Sequence, residues 1–173
     1  MVEGAKSIIF PAREAKEAIG RRMETVFSPD VFGLLYPGVK VPETSEGFPV
    51  NEPPFYVAWD EIADAGSVSG AVTMGHPEVS FDLHVWLFAQ HRDKKVAADT
   101  AIAYADVALA ALAADQTLNR TVDTAVPSIT NAGTAADSSK RYMASVEITV
   151  GCSVASACPA EIREAVDAAN RSL

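Results

Sequence analysis

The side chains of this sequence best suited to proton transfer or metal binding are His84 and His91, with Asp82 two residues before the first. On an extended strand Asp82 and His84 share one face. The pair could thus act as orienter and base in a small acyl- or nucleotide-processing enzyme, although that chemistry also needs a third group and a pocket. His84 and His91 lie seven residues apart, over roughly 20 Å of strand at about 3.3 Å per residue, which is too far to share a metal ion. Asp60, Glu61 and Asp64 could gather round a cation but read as a solvated acidic patch on a loop. Cys152 and Cys158 are spaced neither as a zinc half-site nor as a redox pair. They read as small apolar thiols beside a final strand, or as a disulfide formed after release from a reducing cytosol. Gly66-Ser-Val-Ser-Gly-Ala lacks the lysine of a phosphate cradle, and there is no nucleophile elbow, dinucleotide fingerprint or H-E-x-x-H helix. The expectation is a protein that is not an enzyme and needs no cofactor or metal.

The elements that would carry these residues suit one domain over 1–173 with an ordinary apolar core: 49% of residues are hydrophobic and 21% charged. A net charge of −9 opposes nucleic acid and anionic membranes, so the expected partners are proteins. No apolar run reaches the roughly 20 residues of a bilayer span, and no signal peptide is evident. Pro11 opens a predicted first helix with Ala12, Ala15, Ile19, Met23 and Val26 at helical period, ending by Ser28-Pro29. Six prolines between positions 29 and 54 predict short edge strands, at 31–36 and 39–41, rather than a long helix. Phe55-Tyr-Val-Ala-Trp predicts a strand, and 60–75 a loop or hairpin arm. At 79–90, Val79, Phe81, Leu83, Val85 and Leu87 alternate with a face that begins polar and turns aromatic at Trp86 and Phe88, so that end needs a cover. Asp93 caps a predicted core helix to about Ala114, with Val96, Ala103, Val107 and Ala110 on one stripe and Ile102, Leu109 and Leu112 beside it. The segment 121–130 is β-rich, 131–139 reads as a small-residue loop, 142–150 as a half-buried strand, and 159–172 as a short helix with Ile162, Val166 and Ala169 on one side. The fold class expected is α+β: a small mixed, mainly antiparallel sheet packed by a long central helix, with N- and C-terminal helices and extended arms or loops at 60–78 and 131–140.

The strand Ser80-Phe-Asp-Leu-His-Val-Trp-Leu-Phe, the Ala-rich helix at 97–114, the passage Leu112-Ala-Ala-Asp-Gln-Thr-Leu-Asn-Arg-Thr-Val-Asp and the strand at 142–150 together resemble the tail terminator family of siphophages. Asp115, Thr117 and Leu118 match the family's "alanine, leucine, x, aspartate, x, threonine, leucine, glycine, glycine" passage. The sequence departs from it with Asn119-Arg120 in place of the glycines, of which Asn also tolerates a left-handed backbone. The resemblance implies a homohexameric ring in the virion, at the head-proximal end of the tail and assembled in the host bacterial cytoplasm. Such a ring contacts itself, the tail tube protein and a head-neck connector protein, and DNA passes through it without specific binding. A ring subunit meets its neighbours by two different surfaces, and Phe55, Tyr56, Trp59, Trp86 and Phe88 are the candidates for one; otherwise they are core. The loops at 60–78 and 131–140 are candidates for ordering on contact with tube or neck. The alternatives are a head-tail stopper or tail tube subunit, the tube requiring more long alternating strands, and, from another class, a small enzyme or a monomeric α+β binding module.

Overall fold

The computed structural model describes residues 9–60, 69–73, 78–155 and 159–172. The chain folds as α+β. Its helices are α1 (Ala12–Val26), α2 (Phe32–Leu35), α3 (Lys94–Ala113) and α4 (Ala160–Arg171); its strands are β1 (Glu43–Glu46), β2 (Phe55–Trp59), β3 (Ser69–Thr73), β4 (Glu78–His91), β5 (Thr124–Ala136) and β6 (Tyr142–Ala155). The six strands form one sheet in the order β1-β2-β4-β6-β5, with β3 also on β4. Every pairing is antiparallel except β1 with β2.

Strand β4 organises the sheet. It gives one edge to β2 (at 85–89) and to β3 (at 78–82), and its whole other edge to β6. Its alternation produces a two-sided element: Val79, Phe81, Leu83, Val85, Leu87 and Ala89 are all buried beneath the helices, while the residues between them point the other way. Helices α1 and α3 lie together on the first face. In α1 the buried residues are Ala15, Lys16, Ile19, Gly20 and Met23, so an ammonium is carried into the packing, and Lys16 meets the Glu46 carboxylate of β1 there. An added Cβ at Gly20 would stand 2.7–2.9 Å from three indole atoms of Trp59.

The Asp93 side chain caps α3 as expected, accepting from Lys95 N at 2.9 Å. The buried face overlaps the expected one at Ala103, Val107 and Leu112, all buried, and differs from it elsewhere. Ala97, Ala101, Tyr104, Ala108 and Leu112 face the sheet, whereas Val96 and Ile102 are exposed. Lys95, Asp99 and Asp106 mark the outer side of this alanine-rich helix, which otherwise offers little contrast among its positions; Tyr104, fully buried and with its hydroxyl donating to Lys40 O at 2.6 Å, anchors the inner face. By length and composition this helix is also long and apolar enough to cross a bilayer, contrary to the expectation that no run is, although half of that stretch is buried against the chain's own core.

Three further differences concern local signals. The stretch expected as a strand at 31–36 contains the one-turn helix α2, and the first edge strand falls at Glu43–Glu46 rather than 39–41. Residues 131–136, expected as loop or arm, continue β5 along β6 through a bulge between Ile129 and Asn131. Between α3 and β5, Leu118, Asn119 and Arg120 all have positive φ (47°, 59° and 62°), so the departure from the glycine pair leaves the left-handed turn in place. Asp115 holds it, accepting from Thr117 N, Thr117 Oγ1 and Asn119 N and pairing with Arg22 of α1 at 2.7 Å. Of the arm at 60–78, β3 is placed as a strand, while 61–68 and 74–77 lie outside the described residues; Cys158 does also.

Candidate assembly surface

The second face of the sheet carries Tyr56 and Ala58 of β2, His84, Trp86, Phe88 and Gln90 of β4, and Ser145, Glu147 and Thr149 of β6, as the cross-strand register dictates. None of the described helices packs on it: every strand residue of the core cluster belongs to the other face. The loop between β1 and β2 supplies a partial cover, with Phe48 lying over Trp86 at a ring separation of 4.4 Å. Tyr56 stacks on Phe88 at 4.8 Å, and His84 on Trp86 at 5.7 Å. The result is a continuous aromatic strip whose outermost ring, Phe48, is 53% exposed. Burial, with the Glu52 carboxylate adding to it, pushes the Tyr56 hydroxyl up to about 12.

The five aromatics expected to act together therefore divide. Tyr56, Trp86 and Phe88 form the strip. Phe55 is turned to the helix-covered side and packs against the core, and Trp59 is buried beneath α1, so Trp59 leaves the candidate surface. Phe48 joins it instead; its only signal in the sequence is that of a lone large apolar side chain in a proline-rich loop.

The polar end of the strip is organised by Asp60. Expected in a solvated patch, this carboxylate is fully buried, accepting from His84 N at 2.5 Å and lying 3.2 Å from His84 Nδ1. Glu61 and Asp64 lie outside the described residues. The partner of His84 is thus Asp60 across the strands rather than Asp82 along its own. A nucleophile would complete such a pair, but Thr149, opposite His84, shares its hydroxyl with Thr130 Oγ1 at 2.9 Å. Among the described residues no group of three or more His, Cys, Asp or Glu could hold a metal ion.

Two further surfaces flank the sheet. Along β5, Val126 and Ile129 are 57% and 52% exposed, and among the described residues the strand's outer edge has no strand partner. Beside it, a depression of about 220 Å³ runs between α3 and the β5–β6 pair, lined among others by Ala101, Ile102, Ala132 and Val146. At the opposite end, α4 buries none of its residues and leaves Ile162 and Val166 about half exposed.

Comparison with known protein families found no match, and comparison with curated proteins found none either. Among solved structures, the chain is similar to one described as "Virion of native gene transfer agent (GTA) particle", with a TM-score of 0.43 and 10% identity over 81% of this chain and 93% of that one.

Proposed function

We propose that this chain is a structural subunit that assembles with copies of itself into a tail terminator ring of hexameric type, capping a tail tube at the head-proximal end and meeting the neck on its other side. The observation that carries this reading is the strip of Phe48, Tyr56, Trp86 and Phe88 on a sheet face that none of the described helices covers. Aromatic rings with an apolar body and little side-chain entropy to lose are the residues that fill the centres of protein interfaces. The passage from Asp115 to Arg120 supports the same family, because its left-handed turn persists without the glycines. In a ring of acidic subunits the DNA passes without specific binding.

A second reading is favoured by one feature. Three strands of 13 or 14 residues, β4, β5 and β6, lie side by side, and a tail tube subunit needs long strands of this kind.

Light scattering across a concentration series, followed by electron microscopy of the largest species, tests both. Discrete rings near six times 18.3 kDa support the terminator. Open-ended polymers support the tube, and a strict monomer at every concentration overturns both.

A further inference from the structure

We propose that neighbouring copies join through their backbones, the open end of β5 of one copy pairing with β3 of the next to make one sheet across the contact. The inference rests on the ring reading above and names the surface that closes it.

An unpaired edge offers a row of N–H and C=O groups to any passing strand, and chains that remain single protect it with charges, prolines, bulges or short length. On one side of this sheet the outer strand is β5, thirteen residues long and without a single charged side chain: Thr-Ala-Val-Pro-Ser-Ile-Thr-Asn-Ala-Gly-Thr-Ala-Ala. Its first half is protected. Ala125 N is taken by Gln116 O, Pro127 has no N–H to offer, and the bulge follows at Ile129/Asn131. Beyond the bulge, residues 131–136 are all exposed and carry none of these devices.

The opposite side of the sheet presents two edges. β1 is Glu-Thr-Ser-Glu, charged at both ends and short. β3 is Ser-Gly-Ala-Val-Thr, again uncharged, and pairs on one side with β4. In a chain with 37 charged residues, 14 basic and 23 acidic, two of the three edges without a second strand partner among the described residues, β5 and β3, carry no charge, and they lie on opposite sides of one sheet, whereas the third, β1, is charged at both ends. Each copy carries a net charge of −9, and pairing at two edges free of charged side chains places no like charges against each other at the contact.

Direction and length agree with the pairing. β5 runs with β4 and β3 runs against it, so copies related by a modest rotation bring β5 and β3 together antiparallel. Five residues of β3 face six open residues of β5. The open part of β5 lies level with 86–91 of β4, and β3 with 78–82, so the pairing staggers one copy along the strand direction relative to the next, and a stagger is what closing tilted strands into a ring requires. The depression under Ile102 lies beside the open edge and can take alternate side chains of the added strand. Different surfaces on the two partners make the contact head-to-tail, the kind that closes rings.

The test places a charge on each edge. Ala132→Lys and Ala135→Lys, two separate variants at exposed positions on opposite faces of β5, should each weaken self-association at least tenfold by light scattering while leaving the circular dichroism spectrum and Tm of the subunit unchanged. Ala71→Glu should do the same from the other edge. An equimolar mixture of Ala132→Lys and Ala71→Glu chains should recover association, because Lys then meets Glu. In the wild type, amide hydrogen exchange at 131–136 should slow as concentration rises. Assembly that persists in both Lys variants, with no slowing at these amides, overturns the strand pairing and leaves the ring reading standing. A wild type of monomer mass throughout overturns both.

Discussion

Replacing Gly20 by alanine sets two effects of opposite sign against each other, and the close approach of α1 to the sheet decides between them. In an exposed helix interior the change stabilises by about 1 kcal/mol, because alanine loses less backbone freedom on folding. At Gly20 the new methyl would stand 2.7, 2.8 and 2.9 Å from Nε1, Cε2 and Cζ2 of Trp59, distances at which carbon atoms repel. The indole is 5% exposed in the core cluster and cannot swing aside, so α1 must move away from β2. Overpacking of this kind costs about 2–3 kcal/mol, which leaves a net loss of about 1–2 kcal/mol. For a chain of this size that lowers Tm by about 2–8 °C. Thermal unfolding followed by circular dichroism measures it, and Gly33→Ala is the internal control: Gly33 sits in α2 with nothing within 4 Å of an added Cβ, so there the substitution should be neutral or stabilising. If Gly20→Ala raises Tm as Gly33→Ala does, the packing of α1 on Trp59 is wrong.

Other perturbations follow from the turn, the core and the strip. The hydrogen bonds from Thr117 and Asn119, with Arg22 beside them, hold the Asp115 carboxyl below its usual 3.8. A lowered folded value means that stability from this group is present above the unfolded value and lost as pH falls below it. Asp115→Asn should therefore lower Tm at neutral pH and flatten the decline of Tm expected of the wild type below about pH 4. Tyr104→Phe leaves Lys40 O without its donor and should cost about 1 kcal/mol by denaturant titration. Burial, followed by the Asp82 carboxylate, pushes the Cys152 thiol up to about 12, so a thiol reagent at pH 8 should label Cys152 only after unfolding, as peptide mapping will report. Phe88→Ser should reduce self-association, read by light scattering, with a smaller effect on the subunit's own Tm than Leu87→Ser on the buried face.

Much of the architecture was legible because some segments carry their own contrast. The alternation through β4 marks both its faces, Asp93 marks the start of α3, and Pro11 with the spacing of Ala15, Ile19 and Met23 marks α1. Where the local signal is weak or misleading, tertiary contacts decide. Asn131 to Ala136 read as turn residues one by one, and only β6, reached through the hairpin, makes them a strand. In α3 alanines on all sides hide the face that Tyr104 and Leu112 select. The site was half legible for the same reason. Tyr56, Trp86 and Phe88 fall together by strand parity, but Trp59 has the parity of the buried face, and neither the place of Phe48 over Trp86 nor the burial of Asp60 against His84 leaves any periodic trace.

The pairing of β4 with β6 along fourteen residues also sets a timetable for synthesis. β4 ends at His91 and β6 begins at Tyr142, so at about 5–20 residues per second the ribosome adds the intervening stretch in roughly 3–10 s. Throughout that interval β4 has β2 and β3 along one edge and nothing along the other, and Trp86 and Phe88 stand beside the vacant side. A nascent chain in this condition is a substrate for holding chaperones and a seed for aggregation. Slower elongation lengthens the exposure, so yield of folded subunit should depend on translation speed and chaperone supply as well as on the stability of the finished fold.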